Sequence, residues 1–157
     1  MDLLSIITDQ LSDPKVLEQL GSKAGAKSDQ AGQVAQAALP LLLKSLQQNA
    51  RTPEGAKSLN KALEEHQNDP VKDVAGFLKG VDTADGAKIL QHIFSKDNEK
   101  VQKNLAKKSG LDVNQVAGLL TQLAPLVLGA LGNQKREEST QGDLGGLLGN
   151  LIGRLLK

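Results

Sequence analysis

Ala38-Leu39-Pro40-Leu41-Leu42-Leu43 and Leu123-Ala124-Pro125-Leu126-Val127-Leu128 are two versions of one apolar stretch, placed 85 positions apart in the chain. The correspondence extends without a gap over residues 16–50 and 101–135. Proline within a helix removes an amide donor, so its presence at the matched position of both stretches is a specific shared feature. The paired positions share apolar spacing, one glycine and one proline, but no nucleophile, metal ligand or catalytic carboxylate. The repeat therefore predicts a scaffold that is built twice.

Each copy has the pattern of a short helix, a glycine turn and a longer helix. Apolar residues recur every three to four positions, which predicts the long helices over about residues 28–49 and 112–132. Asp112 and Gln115 have the spacing of a helix-capping box. The second long helix is apolar on almost every side in its C-terminal half, which is typical of a helix inside a bundle. We predict that both long helices lie at the centre of the protein, related by an approximate two-fold axis.

The amino-acid composition favours helices over sheets. Hydrophobic residues make up 39% of the 157 residues, enough for a core, yet the chain has two Phe and no Trp or Tyr. Sandwiches and barrels rely on β-branched and aromatic side chains, whereas aliphatic side chains suit helix-on-helix packing. The sequence therefore predicts an all-α multihelical bundle with an internal duplication and no β-sheet.

The predicted domain organisation has three parts. Residues 1–133 form the duplicated helical domain, residues 134–142 a polar linker, and residues 143–157 a tail rich in glycine and leucine. Each glycine inside a helix costs about 1 kcal/mol relative to alanine, so we expect the tail to be helical only when its apolar stripe is covered. The predicted partner-binding residues of that stripe are Leu144, Leu147, Leu148, Leu151, Ile152 and Leu155.

Three surfaces could cover the tail: its own domain, a second copy of the chain, or a membrane. Self-association is the first choice, because glycines at 145, 149 and 153 allow two helices to approach closely. A membrane surface is second, since Arg154 and Lys157 provide only two cationic residues and the apolar stripe has no aromatic anchor.

Charge and cysteine content limit the partners. The net charge is +1, from 19 basic and 18 acidic residues, and aromatic side chains for base stacking are scarce, so nucleic acid is not favoured. Without cysteine the chain has no disulfide framework and no thiolate zinc site, which suits the cytoplasm. Association with the cell envelope is the alternative location. No run of about 18 apolar residues occurs, so the sequence predicts no membrane-spanning helix.

Catalytic chemistry is weakly represented. There is no cysteine nucleophile and no serine in a Gly-x-Ser-x-Gly turn. His66 has Glu65 and Asp69 nearby, which leaves a metal-dependent hydrolase as an alternative function. His92 lies in an apolar helical turn and is predicted to bond a backbone carbonyl. We predict a non-enzymatic interaction or structural module, with no catalytic residue, metal, cofactor or small-molecule substrate.

Four lysines recur at helical spacing on one side of the helix predicted over about residues 98–108, with the first lysine just before the helix begins. A solvated face is the simplest interpretation, and Glu99 can pair with Lys103 at a spacing of four. Anionic lipid or an acidic protein partner is the alternative. The lysines are Lys96, Lys100, Lys103 and Lys107.

Several stretches together resemble the YidB-like family of bacterial proteins, a domain of unknown function (937). They are Ala-Leu-Pro-Leu-Leu-Leu at 38–43, Thr-Pro-Glu-Gly-Ala at 52–56, Asp-Gly-Ala-Lys-Ile-Leu-Gln-His-Ile-Phe at 85–94 and Leu-Ala-Pro-Leu-Val at 123–127. The similarity covers most of residues 1–133. It implies an all-helical bacterial fold without an established activity, sometimes joined to cell-envelope modules. The chain departs from the family's glycines at Lys44, Gln91 and Ser95.

Overall fold

A computed structural model of the protein describes residues 3–138, and side chains within residues 5–134. This part of the chain consists of helices joined by short connections and contains no strand, so the predicted all-α fold is confirmed. Its elements are α1 (Leu3–Gln10), α2 (Pro14–Ala24), α3 (Ser28–Asn49), α4 (Pro53–His66), α5 (Val74–Lys79), α6 (Thr83–Phe94), a 3₁₀ turn (Ser95–Asp97), α7 (Asn98–Ser109) and α8 (Val113–Glu138).

Local sequence signals account for the ends of the short helices. Asp13 caps α2 by accepting from the amide of Lys15 at 2.9 Å, and Pro14 occupies the first turn, where its missing amide hydrogen costs nothing. Both α2 and α7 end at a glycine in the left-handed region, Gly25 with φ 73° and Gly110 with φ 77°. Glycine is favoured there because it has no Cβ to clash with the following carbonyl.

Near the start of each long helix, a glutamine side chain donates a hydrogen bond to the backbone of the other half of the chain. The Gln30 side chain of α3 donates to the carbonyl of Ser109 at 3.4 Å, and the Gln115 side chain of α8 donates to the carbonyl of Gly25 at 2.6 Å. Gln115 also completes the predicted capping box with Asp112. The turns after α2 and α7 are thus tied together, while the internal duplication and its two-fold axis stay predictions.

Helix α8 forms the centre of the bundle. It contacts α1 to α7, and every residue from Gln122 to Gln134 is buried. The stretch Val113–Gln134 is long and apolar enough to cross a membrane by length and composition alone, which the sequence criterion had excluded. In this fold 78% of its most apolar window is buried by protein, as expected for the core helix of a bundle.

The C-terminal end of α8 differs from the sequence prediction. The apolar stripe ends near residue 132, but the helix continues to Glu138, into the segment predicted as a linker. Lys, Arg and Glu are good helix formers, so the helix continues beyond the point where the apolar stripe ends. The remaining linker residues, 139–142, and the tail lie outside the described residues.

Helix α6 packs closely against α8. A Cβ atom at Gly86 would lie 1.9 Å from the carbonyl oxygen of Thr121, so the two backbones are in direct contact there. Only glycine permits this approach. The contact sets the position of the rest of α6, including Ile89 and Ile93, relative to α8.

Candidate functional site

An apolar pocket opens between α3, α4, α6 and α8, with a volume of about 160 Å³. We call it the α4–α6 pocket. Its lining is aliphatic except for two polar side chains, and the aliphatic residues are buried or half-buried in the surrounding helices. The lining residues are Leu46, Leu59, Ala62, Lys88, Ile89, His92, Ile93 and Leu128.

Helical spacing places these side chains together. Ile89 and Ile93 are four residues apart on α6, and Leu59 and Ala62 are three apart on α4, so each pair shares one face of its helix. The side chain of Asn49, at the end of α3, donates to the carbonyl of Ile93 at 3.1 Å. This bond holds the end of α3 against the end of α6, beside the pocket.

The size of the α4–α6 pocket limits what it can hold. Pockets for drug-sized ligands have volumes of about 300–1,000 Å³, well above that of this pocket. An apolar cavity of about 150 Å³ accommodates a group the size of benzene. Lys88 and His92 are exposed, so the polar groups lie at the rim. The pocket therefore suits one or two aliphatic side chains, next to a negative charge.

His66 lies between two carboxylates. Its Nδ1 is 2.6 Å from Oδ2 of Asp69, and its Nε2 is 3.8 Å from Oδ2 of Asp85. The imidazole thus links the end of α4 both to the following turn and to the first turn of α6. The structure brings Asp69 to His66, as the hydrolase alternative requires, and adds Asp85, which the sequence did not indicate.

Within the part of the chain that the structure describes, no group of three or more His, Asp or Glu side chains could hold a metal ion. The prediction for the other histidine was wrong: the His92 side chain makes no hydrogen bond within the described residues and lies exposed at the rim of the α4–α6 pocket. Helix α6 is amphipathic, and His92 lies on its exposed side.

The lysine face forms one side of an open groove with a volume of about 870 Å³. All four lysines line it and are exposed, while Leu105 on the opposite side of α7 is buried. Two acidic side chains, Glu99 and Asp112, line the same groove, and Lys103 Nζ pairs with Glu99 at 3.0 Å. The groove carries a modest positive charge, suited to weak attraction of an anionic surface.

The sequence comparison identifies the family. Residues 6–134 match the family described as "Bacterial protein of unknown function (DUF937)". The chain belongs to this family. The YidB-like resemblance is thereby confirmed, and the family description names no activity or ligand. No curated protein and no solved structure gives a significant match.

The predicted partner-binding residues of this family member all lie outside the described residues. Leu144, Leu147, Leu148, Leu151, Ile152 and Leu155 follow the end of α8 by 6 to 17 positions. Sequence reasoning found this apolar segment but missed the α4–α6 pocket. Leu59, Ile89 and Ile93 have the spacing of ordinary core residues, and nothing in that spacing indicates that Ala62 leaves a space beside them.

Proposed function

We propose that this chain is a non-catalytic interaction module that associates with itself through residues 143–157. The observation that supports the proposal best is the preformed apolar α4–α6 pocket. The same chain carries, in residues 143–157, a stripe of seven aliphatic side chains. A surface that needs an aliphatic side chain and a segment that supplies several are complementary.

The stripe requires a partner for energetic reasons. Fully burying a leucine side chain contributes about 1.5–3 kcal/mol, and ordering one residue costs about 1–2 kcal/mol. Four of the fifteen residues from 143 to 157 are glycines, which lose the most backbone freedom and bury nothing. The segment is therefore ordered only when most of its leucines are covered, and a second copy can provide that cover.

Removal of residues 143–157 tests the proposal. We expect the full-length chain to show a molar mass that rises with concentration in light scattering, and the truncated chain to stay monomeric. A control that changes Arg154 and Lys157 to alanine keeps the apolar stripe and should still associate. A full-length chain that is monomeric at all concentrations would refute self-association.

The lysine groove supports a second candidate function, peripheral association with anionic lipid. Charge attraction of this kind weakens with salt and requires the cationic face. Sedimentation with phosphatidylglycerol vesicles should show binding that is lost at about 0.5 M salt. Binding should also be lost in Lys100→Glu/Lys103→Glu and retained in the control Lys44→Glu, an exposed lysine on α3. Salt-independent binding, or equal binding by both variants, would exclude the groove as the lipid site.

Absence of enzymatic activity and a cytoplasmic location stay predictions, with envelope association as the alternative location. The metal-dependent hydrolase is separated from the interaction module by metal analysis. A stoichiometric metal ion in protein purified without chelator, absent from His66→Ala, would favour the hydrolase. We expect both proteins to be free of bound metal, since the carboxylates around His66 already pair with its ring nitrogens.

A further inference from the structure

We infer that the α4–α6 pocket is the docking site for Leu147 and Leu151 of a second copy of this chain. The inference rests on the proposed function, which names the tail as the associating segment, and adds the surface that receives it. Four observations support it: the size of the pocket, its lining, the charge at its rim, and its distance from the end of α8.

Size and lining fit the proposed occupant. Leu147 and Leu151 are four residues apart, so in a helix they form one ridge about 6 Å long. A volume of about 160 Å³, lined by the side chains of Leu46, Leu59 and Leu128 among others, matches side chains of this kind and is below the range of pockets for drug-sized ligands.

The rim charge fits as well. Asp143 precedes Leu147 by four residues and therefore lies on the same helix face, one turn earlier. Lys88 is exposed at the rim of the pocket. With Leu147 in the pocket, the Asp143 carboxylate can reach the Lys88 ammonium. The other charged tail residues, Arg154 and Lys157, are at the far end of the segment and do not approach Lys88 in this arrangement.

The position of the pocket along α8 favours a second copy over the tail of the same chain. Leu128 lines the pocket, and α8 continues ten residues further to Glu138, a rise of about 15 Å. A returning chain needs about five extended residues to cover that distance. Residues 139–143 would all be needed to cover that distance, so Asp143 would only reach the level of the pocket. No residue would be left to form the turn that reverses the chain.

The end of α8 is packed against the connection between α4 and α5, because the Asn133 side chain donates to the carbonyl of Asp69 at 3.1 Å and Gly129 faces Val71. The turn that reverses the chain lengthens the return path further. Antiparallel segments after a helix are joined by about two to five residues, which would be used before the extended stretch begins. Leu147 of the same chain would then arrive extended, without the helical face that places Asp143 and Leu151 beside it. A second copy has no such restriction, and a two-fold dimer fills both pockets.

Cysteine cross-linking provides the direct test, because the natural chain has no cysteine. Full-length Ala62→Cys and Leu147→Cys chains, each with a single thiol, are mixed and oxidised. We expect a disulfide-linked heterodimer of these two chains. In the matched control, Ala87→Cys takes the place of Ala62→Cys. Ala87 is an exposed alanine of α6 that does not line the pocket, so mixing this variant with Leu147→Cys should give little heterodimer.

The outcomes separate the occupants. If only a double variant with Ala62→Cys and Leu147→Cys in one chain forms a disulfide, within a monomer, the tail docks on its own domain and the inference is wrong. If neither arrangement cross-links above the control, the pocket is not the docking site. If the tail-deleted chain loses association while the pocket variants do not cross-link, the proposed function survives and this inference fails.

Two further variants measure the contribution of the pocket. Ala62→Leu fills the space and should weaken self-association at least about tenfold, whereas Ala87→Leu should leave it unchanged. Lys88→Glu should weaken association about two- to fivefold, with recovery in the double variant Lys88→Glu/Asp143→Lys. Lys88 is exposed, so this exchange tests the inference even if Ala62→Leu disturbs folding. Unchanged association in Lys88→Glu and in a folded Ala62→Leu would overturn it.

Discussion

Gly86→Ala adds one methyl group where α6 meets α8, and we expect it to destabilise the protein. In an exposed helix this substitution stabilises by about 1 kcal/mol, because alanine is the better helix former. Here the added Cβ would lie 1.9 Å from the carbonyl oxygen and 2.8 Å from the carbonyl carbon of Thr121. Both atoms belong to the backbone of α8, so no side-chain rotation relieves the clash.

The magnitude follows from the displacement that the clash requires. Real Cβ atoms essentially never approach another heavy atom closer than 3.0 Å, so α6 has to move about 1 Å away from α8. Leu90, Ile93 and Phe94 of α6 are buried and would lose packing contacts. Overpacking of this kind costs about 1–3 kcal/mol, and a rigid backbone contact belongs at the upper end. After the gain in helix propensity, we expect a net loss of about 2 kcal/mol.

Urea unfolding followed by circular dichroism measures this difference. All variants are compared at one protein concentration, because self-association would raise the apparent stability. Gly80→Ala is the matched control, since no heavy atom lies within 4 Å of its added Cβ and its φ is −104°. We expect its free energy of unfolding to change by less than about 0.5 kcal/mol. If Gly86→Ala were as stable as this control, α6 and α8 would not be in backbone contact and the packing described above would be wrong.

Three further predictions test the bundle by thermal or urea unfolding. Leu123→Ala removes a fully buried side chain and should lower the free energy of unfolding by about 2–5 kcal/mol. Its control is Leu41→Ala, at a residue 37% exposed, which should lower it by less than about 1 kcal/mol. Equal effects of the two substitutions would contradict the burial of Leu123. Gly25→Ala and Gly110→Ala should each cost about 1–2 kcal/mol, because both positions have positive φ, and a neutral result at either would contradict that backbone conformation. Gln115→Ala should cost about 1 kcal/mol through loss of the capping box and of the bond to the Gly25 carbonyl, and an unchanged stability would show that neither bond contributes.

The sequence predicted helices well where the chain carries local signals. The bounds of α3, residues 28–49, match the prediction, because its last buried apolar residue, Leu46, lies within one turn of the helix end. For α8 the two differ: its stripe ends near residue 132, and its charged continuation to Glu138 remains helical. A hydrophobic pattern reports which face is buried, so it locates a helix end only when burial and helix stop at the same residue.

The α4–α6 pocket was beyond sequence reasoning for a related reason. Its walls come from four helices, and their spacing depends on close contacts such as that of Gly86 with Thr121. Periodicity shows that Ile89 and Ile93 face a neighbour, but not whether that neighbour fills the space. The space beside Ala62 is open because the side chains of the other three helices do not fill it, and only the assembled bundle places those side chains. The cluster of His66 with Asp85 has the same origin, since the two residues are 19 positions apart and meet only through the packing of α4 and α6.

The use of polar side chains inside the bundle supports a function located at its surfaces. Gln122 is fully buried on α8, and its amide donates to the carbonyls of Leu20 and Gly118. Asn133, also buried, donates to the carbonyls of Asp69 and Gly129. The amide nitrogens tie the central helix to α2 and to the connection after α4 by donating to backbone carbonyls, whereas Oε1 of Gln122 is buried without a hydrogen-bond partner among the described residues. Polar side chains are exposed at the rim of the α4–α6 pocket and along the lysine groove. The pocket is apolar inside and has a lysine at its edge, which is the basis of the proposed docking of an aliphatic segment with an acidic residue one turn away.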